Sequence, residues 1–280
     1  METQKRKGKQ ARRLTVTEQI NQKHQEDLQR LRGFRLLDDD FLTKCFEEDT
    51  KSIELVLQII LEKSDLQVLD VRTQVFVENL LNRSVRFDIL ATDSTGAKMN
   101  VEIQRSDRGA GKKRARYNSS MLDASLLEKG KNFEELPETY VIFIAEHDVL
   151  GKDKPLYHIG RYIFDTNEMF DDGSHILYVN GAYRGDSPIG KLMHDFSCTN
   201  PSDMYYGTLA NRVRFFKESK EGIEIMCRAM EDMRNQTLKE GAINSAKRML
   251  ADGILTLEKI AEYAGLSLDE VKKLKAEQAV

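Results

Sequence analysis

The hydrophobic pattern of the chain first becomes regular in residues 38–67, DDDFLTKCFEEDTKSIELVLQIILEKSDLQ. Hydrophobic side chains recur there at steps of three and four residues, at Phe41, Cys45 or Phe46, Ile53, Val56, Leu57, Ile60 and Leu61. This period predicts one or two amphipathic helices. Asp38 to Asp40 suit the cap and first turn, because carboxylates stabilise the free N–H groups at the start of a helix.

Strand character follows in three segments, residues 66–81, 84–93 and 98–107. The last two are separated by Asp-Ser-Thr-Gly at residues 93–96, which has the composition of a tight turn. We therefore expect these two strands to form a hairpin.

The remaining predicted elements are, in chain order, a helix at residues 110–129 that stops at Gly130, a buried central strand at 138–148, strands at 157–165 and 174–181, and helices from about residue 188 with breaks at Gly253 and Gly265. This order predicts an α/β fold, in which a mixed sheet is flanked by helices and followed by a C-terminal helical appendage. We expect three parts: a basic arm and linker helix at 1–33, the main domain at 34–240, and a C-terminal helical segment at 241–280.

Three polar side chains interrupt the apolar strands of the predicted hairpin: Asp88, Glu102 and Gln104. Side chains alternate across a strand, so Glu102 and Gln104 share one face. If residues 87–90 pair with 101–104, Asp88 joins that face. Oxygen ligands of this kind suit Mg²⁺ or Mn²⁺. A solvated sheet face, or carboxylates paired with arginines such as Arg86 and Arg105, are the alternatives.

The helix that follows the hairpin begins with Lys-Lys-Arg-Ala-Arg-Tyr, residues 112–117. Lys113 and Arg114 are candidates for binding a phosphate backbone without reading base sequence. Arg114 and Tyr117 lie one helical turn apart and can therefore face one phosphate. The alternative is a solvated basic face.

Composition sets limits on the class of protein. The 280 residues are 40% hydrophobic and carry a formal net charge of only −3, which neither favours nor excludes nucleic acid. Residues 1–13 contain six Lys or Arg against one Glu, which suggests either added DNA affinity or a solubilising tail. No apolar segment follows this basic start, and there is no run of about 18 apolar residues, so we expect neither a secretion signal nor a membrane span.

Cysteine and histidine positions do not suggest a metal site. Cys45, Cys198 and Cys227 form no CxxC pair and no metal-ligand spacing, so reduced thiols in the cytoplasm are expected. The scattered histidines are given surface or core roles; they are His24, His158, His175 and His194. There is no GxxxxGK[ST] phosphate-binding loop, so no nucleotide cofactor is expected.

Asp88, the short turn and the VEIQ segment with Glu102 and Gln104 resemble the PD-(D/E)xK nuclease superfamily. Gln104 at the position usually held by Lys resembles one branch, the recombination-promoting nuclease / putative transposase family. The helical segment at 38–61, the Arg/Tyr helix, the strand at 138–148 and the tail IAEYAGLSLDEVKKL also resemble that branch. The similarity covers about residues 38–180. Phe87 stands where the superfamily name places a proline.

The resemblance implies a restriction-endonuclease-like fold and a metal-dependent DNA endonuclease. Asp88 and Glu102 would bind Mg²⁺ or Mn²⁺, and Gln104 would complete the catalytic set by orienting water, because an amide cannot act as a base. An acid from the first helices often joins such sites, and Glu47 and Glu48 are the candidates here. A homodimer is expected by analogy only, because cutting both strands usually needs two sites.

Two alternatives remain open at the level of sequence. A nuclease scaffold without turnover could act as a DNA-binding or protein-interaction module, which Gln104 and the absent proline would favour. A true transposase ranks lower, because no third carboxylate has the spacing of an RNase H-like site. The C-terminal helices resemble a helix–turn–helix, but the second helix begins with acidic residues, which favours packing or oligomerisation over base reading.

Overall fold

The computed structural model describes residues 16–79, 83–105 and 109–278. Within these ranges the helices are α1 (Val16–Gly33), α2 (Asp39–Phe46), α3 (Thr50–Leu61), α4 (Lys112–Leu126), α5 (Pro188–Ser197), α6 (Gly207–Glu218), α7 (Lys220–Asp252), α8 (Leu257–Ala264) and α9 (Leu268–Gln278). The strands are β1 (Val68–Val77), β2 (Val85–Asp93), β3 (Lys98–Gln104), β4 (Thr139–Ala145), β5 (Leu156–Ile159), β6 (Tyr162–Ile163), β7 (Glu168–Met169) and β8 (Ser174–Asn180). The basic segment 1–13 lies outside the described residues.

The chain divides into two compact units, one formed by Leu28–Ile223 and the other by Met1–Asp27 together with Glu224–Val280. The first unit holds the sheet and the helices from α2 to α6. The second contains α8 and α9. The division into residues 1–33, 34–240 and 241–280 stays a prediction.

The amphipathic segment at 38–67 forms two helices, α2 and α3. The side chain of Asp49 caps α3 by accepting the Ser52 N–H at 3.1 Å. Asp38 occupies the cap position of α2, but its carboxylate makes no capping hydrogen bond and accepts the Arg35 N–H at 2.8 Å instead. The predicted placement of Asp38 at the cap and of Asp39 and Asp40 in the first turn is thus confirmed, although Asp38 makes no side-chain capping bond.

The main sheet has six strands in the order β1-β2-β3-β4-β8-β5. The β1–β2, β2–β3 and β8–β5 pairs are antiparallel, whereas β3–β4 and β4–β8 are parallel. Every residue of β4 is buried, as expected for a strand at the centre of a sheet. The mixed sheet, its flanking helices and the C-terminal helices confirm the predicted α/β, restriction-endonuclease-like class.

One predicted strand is wrong in its extent. The segment at 157–165 splits around Gly160: β5 pairs with β8 in the main sheet, and β6 pairs with β7 in a separate hairpin. Short apolar runs do not show which partner a strand will take, so this division could not be read from periodicity.

The packing of α4 decides which face of the sheet carries chemistry. α4 lies against β4 and β8, and its Ala115 and Leu122 join a buried cluster with Phe143 and Tyr178. Phe143 is the register partner of Glu102, so α4 covers the face to which Glu102 belongs. The start of α4 is thereby brought over β3.

The C-terminal unit follows the predicted breaks. α7 ends just before Gly253, and α8 ends at Gly265, which adopts the left-handed conformation at φ +67° that glycine tolerates best. Ile260 and Val271 pack in a small core between α8 and α9. In the described part of the chain, no helix combines the length and the apolar character needed to cross a membrane.

The hairpin turn gives a test of what fixes the β2–β3 pairing. The Asp93 carboxylate accepts the N–H groups of Thr95 at 2.9 Å and of Ala97 at 3.0 Å. Asp93→Ala should lower the free energy of unfolding by about 1–3 kcal/mol, because the buried Ala97 N–H loses its partner. Urea unfolding measures the change. Ser94→Ala, an exposed change in the same turn, should stay within about 0.5 kcal/mol; equal losses in the two variants would contradict the assignment.

Candidate active site

The register between β2 and β3 determines how the two acids of the site, Asp88 and Glu102, lie relative to each other. Ile89 pairs with Val101 across the antiparallel strands, and continuing this register by one pair brings Asp88 opposite Glu102 on the same face. Asp88 Oδ2 accepts the Ile103 N–H at 3.0 Å, which fixes the carboxylate against β3. Asp88 is 7% exposed and Glu102 is fully buried.

Burial and mutual repulsion change the protonation of this pair. Burial, together with the charges of Glu102 and Asp39, raises the pKa of Asp88 to about 8. Burial also raises the pKa of Glu102, while the Arg114 guanidinium opposes that shift. Two acids confined together favour a shared proton or a bound cation, because both cannot be charged without a counter-ion.

Arg114 is the cation that meets Glu102. Its Nη2 lies 2.9 Å from Glu102 Oε2, and its Nη1 donates to Gln104 Oε1 at 3.3 Å. The guanidinium also lies 6.0 Å from the centre of the Phe143 ring. The structure therefore places Arg114 against the side chains of Glu102 and Gln104 in β3, whereas the sequence suggested contact with phosphate.

Neither of the two arginines named as alternative carboxylate partners forms an ion pair with Asp88 or Glu102 in the described residues. Arg105 lies 3.2 Å from Asp38 Oδ1 and 3.6 Å from Glu146 Oε2. Arg86 lines the cleft described below. Asp88 therefore has no arginine within ion-pair distance in the described residues, and its carboxylate accepts a backbone N–H instead.

The oxygen atoms of Asp88 and Glu102 fit a divalent cation. Glu102 Oε1 is buried and makes no hydrogen bond of normal geometry among the described residues, although the nearby Asn100 side chain acts on the carboxylate and lowers its pKa. A buried carboxylate oxygen without a donor is costly, and a cation would satisfy it. With Asp88 directly across the strands, the donor set is oxygen only, which suits Mg²⁺ or Mn²⁺. The residues present fit the ion that the sequence analysis implied.

Asp39 is the acid from the first helices that reaches this site. It starts α2, lines the same cleft as Asp88, and its charge raises the Asp88 pKa. Glu47, named from sequence with Glu48, follows the end of α2 and pairs with Lys44 at 2.7 Å. Neither Glu47 nor Glu48 lines the cleft. A run of three acids at the start of a helix was the available signal, but periodicity alone could not select the one that faces β2.

An open cleft of about 1220 Å³ leads to Asp88. Its acidic lining residues are Asp39 and Asp88. Its basic lining residues are Arg83, Arg86, Arg105, Lys113, Arg114 and Arg116. Gln104 and Tyr117 also line it, whereas Glu102 lies behind the surface, bonded to Arg114. The cleft therefore surrounds a small acidic centre with cations, an arrangement that attracts an anionic polymer.

Tyr117 has a more specific contact than expected. Its hydroxyl donates to the carbonyl oxygen of Arg83, at the start of the segment that leads into β2. This bond ties α4 to the edge of the cleft near Arg83. The hydroxyl hydrogen is thus engaged by the backbone, while the ring still lines the cleft.

The part of the chain that forms this site matches a known protein family. Residues 44–181 match the family model described as PD-(D/E)XK nuclease family transposase. The matched region contains every residue proposed from the sequence for catalysis, metal or phosphate: Asp88, Glu102, Gln104, Lys113, Arg114 and Tyr117. Asp39 lies just before it. No curated protein and no solved structure matches the chain.

The buried acids predict a pH-dependent stability. Because the Asp88 pKa is raised from 3.8 to about 8 in the folded state, the folded protein holds a proton more tightly than the unfolded chain does. Stability should therefore fall as pH rises from about 4 towards about 8 in metal-free protein. Asp88→Asn removes this loss and can still accept the Ile103 N–H, so it should gain about 1–3 kcal/mol at pH 8 and nothing at pH 4.

Chemical unfolding in the presence of a chelator, repeated across this pH range, measures the effect. Asp40→Asn, an exposed acid in the first turn of α2, is the matched control and should follow the wild type within about 0.5 kcal/mol. If the free energy of unfolding depends on pH in the same way for wild type and Asp88→Asn, the Asp88 pKa is not raised in the folded protein.

Proposed function

We propose that this chain, whose residues 44–181 match the PD-(D/E)XK nuclease family transposase model, is a metal-dependent endonuclease that hydrolyses phosphodiester bonds in DNA. The observation that best supports this proposal is the buried pair Asp88 and Glu102 beside a basic cleft, in which one Glu102 oxygen makes no hydrogen bond of normal geometry among the described residues. Burying two carboxylates side by side destabilises the folded state, and a bound cation would offset that cost.

Asp88 and Glu102 would hold Mg²⁺ or Mn²⁺, and Asp39 at the cleft supplies a third carboxylate close enough to act on the Asp88 charge. When bound, such an ion polarises a phosphate and lowers the pKa of water. The hydrogen bond from the Ile103 N–H fixes the Asp88 carboxylate in the position where it would hold the ion. Burial of Glu102 excludes bulk water from the other side of the pair.

Gln104 orients water rather than taking its proton. Its side-chain amide has no titratable proton acceptor in the physiological range, and its oxygen already accepts from Arg114. The attacking water must therefore pass its proton to a phosphate oxygen or to solvent.

Arg114 links the acidic centre to the phosphate. Its side chain is 43% exposed although it bonds to a fully buried Glu102, so it can exchange partners without unfolding α4. With Asp88 and Glu102 holding the cation, the Arg114 guanidinium would be available to bind a DNA phosphate. Lys113, one residue earlier and exposed, adds a second positive charge on the cleft wall.

A second candidate function depends on the contact between Arg114 and Glu102. If Arg114 does not release Glu102, the guanidinium itself neutralises the site, and the chain is a nuclease scaffold that binds DNA without cutting it. Gln104, which takes the second hydrogen bond from Arg114, favours this version. Metal titration separates the two candidates, since only the enzyme binds Mg²⁺ or Mn²⁺ at Asp88 and Glu102.

The main test is cleavage of supercoiled plasmid in Mg²⁺ or Mn²⁺. Wild-type protein should convert the plasmid, and Asp88→Ala and Glu102→Ala should each lower the rate by about 100-fold or more, because each loses a proposed ligand. Glu47→Ala, purified in the same way, should keep the wild-type rate. Nicked circles indicate single-strand cuts, and linear product indicates the two-site action expected of a homodimer.

Equal cleavage by wild type and Asp88→Ala would mean that the activity is a contaminant. DNA binding without cleavage, combined with no calorimetric signal from Mn²⁺ that depends on Asp88, would identify the inactive scaffold.

DNA contact by the basic wall has its own signature. In an Asp88→Asn background that prevents cutting, Lys113→Ala should weaken binding to every duplex sequence alike and reduce the slope of log affinity against log salt by about 0.9. Fluorescence anisotropy over a salt series measures both quantities. Lys129→Ala removes the same charge outside the cleft lining and should leave the slope unchanged; a sequence-dependent loss in Lys113→Ala would instead indicate base contact.

A further inference from the structure

The C-terminal end of α5 carries three potential ligands that the nuclease site does not use. His194 and Asp195 lie in the last turn of α5, and Cys198 follows the helix as its cap residue. One nitrogen, one oxygen and one sulfur from these side chains all lie within 4.8 Å of one another. Asp195 is fully buried, while His194 and Cys198 are partly exposed.

Asp195 is held rigidly in place. Its Oδ1 accepts the Tyr205 N–H at 2.7 Å and its Oδ2 accepts the Tyr206 N–H at 2.8 Å. A carboxylate offers about four lone-pair positions, so two amide bonds leave each oxygen able to bind one further partner. Oδ1 is the oxygen that faces His194.

The His194 ring has two partners for a single atom. Its Nδ1 lies 3.4 Å from Asp195 Oδ1 and also 3.4 Å from Cys198 Sγ. A ring nitrogen carries either one hydrogen or one lone pair, so it cannot make a good hydrogen bond to both, and 3.4 Å is long for N–H···O. The Tyr205 ring packs edge-on against His194 at 4.8 Å and fixes its orientation.

Two of the three ligand–ligand separations match those of a tetrahedral ion, and the oxygen and sulfur lie within 4.8 Å of each other. With zinc–ligand distances of about 2.0–2.3 Å, neighbouring nitrogen, oxygen and sulfur ligands in a tetrahedron lie about 3.3–3.6 Å apart. The nitrogen–oxygen and nitrogen–sulfur distances of 3.4 Å fall in that range without any movement of the side chains. An ion among the three atoms would give each of them a partner.

We propose that His194, Asp195 and Cys198 form a binding site for a transition-metal ion of the zinc class, with the fourth position open to solvent. Nitrogen, sulfur and one carboxylate are the donors that zinc takes, whereas Mg²⁺ prefers oxygen alone. The site ties the end of α5 to the segment that leads into α6, because Asp195 already holds the amides of Tyr205 and Tyr206. It differs in donor type from the Asp88–Glu102 pair and does not depend on the proposed nuclease activity.

Cobalt(II) is the direct probe, because a thiolate ligand gives it a charge-transfer absorption in the near ultraviolet and tetrahedral geometry gives it strong visible bands. Protein treated with a chelator and kept reduced should bind one equivalent of Co²⁺ with both signals, and Zn²⁺ should displace it. Cys198→Ser should abolish the charge-transfer band, and His194→Ala should weaken binding by at least about 10-fold.

Two controls separate this site from other metal chemistry in the chain. Cys227→Ser removes another partly exposed thiol and should leave the spectrum unchanged. Asp88→Asn removes the proposed nuclease ligand and should also leave it unchanged. Circular dichroism of Cys198→Ser, whose hydroxyl is close in size to the thiol, checks that the variant is folded.

The proposal is overturned if reduced wild type binds no Co²⁺ at a tenfold excess, or if the charge-transfer band persists in folded Cys198→Ser. Binding that disappears in Asp88→Asn but not in Cys198→Ser would likewise reject it. Any of these results would mean that the three side chains only form hydrogen bonds with one another and do not bind a metal.

Discussion

The pairing of β2 with β3 is the constraint on which the proposed chemistry depends. Side-chain direction has a period of two along a strand, so a shift of one residue in this pairing would put Asp88 and Glu102 on opposite faces of the sheet. The Asp93 turn holds the register from one end, and the Asp88–Ile103 hydrogen bond holds it from the other. The same contacts that close the hairpin therefore bring two acids together in a buried position.

This confinement has an energetic consequence that the rest of the unit offsets. Packing of α4 on β4 and β8 excludes water from Glu102, which raises the pKa of the acid and makes its charge costly. Arg114, carried by the same helix, compensates one oxygen and, among the described residues, leaves the other without a hydrogen bond of normal geometry. α4 thus both buries Glu102 and supplies the arginine that neutralises one of its oxygens. A bound cation is the proposed partner of the other oxygen.

Much of this arrangement could be predicted from sequence because it is local. The turn at 93–96, the buried run of β4 and the breaks at Gly253 and Gly265 each follow from residues close in the chain. The alternation that puts Glu102 and Gln104 on one face is likewise a property of a single strand.

The parts that could not be predicted depend on how separate elements meet. Periodicity identifies the α4 face that holds Arg114, but it does not show that Glu102 lies beneath it. Three consecutive acids begin α2, yet only the tertiary contacts show that Asp38 is bound by Arg35 and Arg105 while Asp39 lines the cleft. In the same way His194, Asp195 and Cys198 have no familiar metal-binding spacing, and their grouping depends on the end of α5 and on the return of the chain at Tyr205.

The position of Arg114 explains why glutamine is chemically sufficient at residue 104. A lysine there would place a second cation beside the guanidinium, and like charges at that distance repel. The neutral amide instead accepts a hydrogen bond from Arg114 and orients it towards Glu102. In the proposed enzyme the positive charge usually associated with this strand position is thus provided from α4, on a side chain that is partly exposed and free to move between carboxylate and phosphate. The departure from the lysine pattern and the Arg114–Glu102 contact are, on this argument, two parts of one electrostatic arrangement.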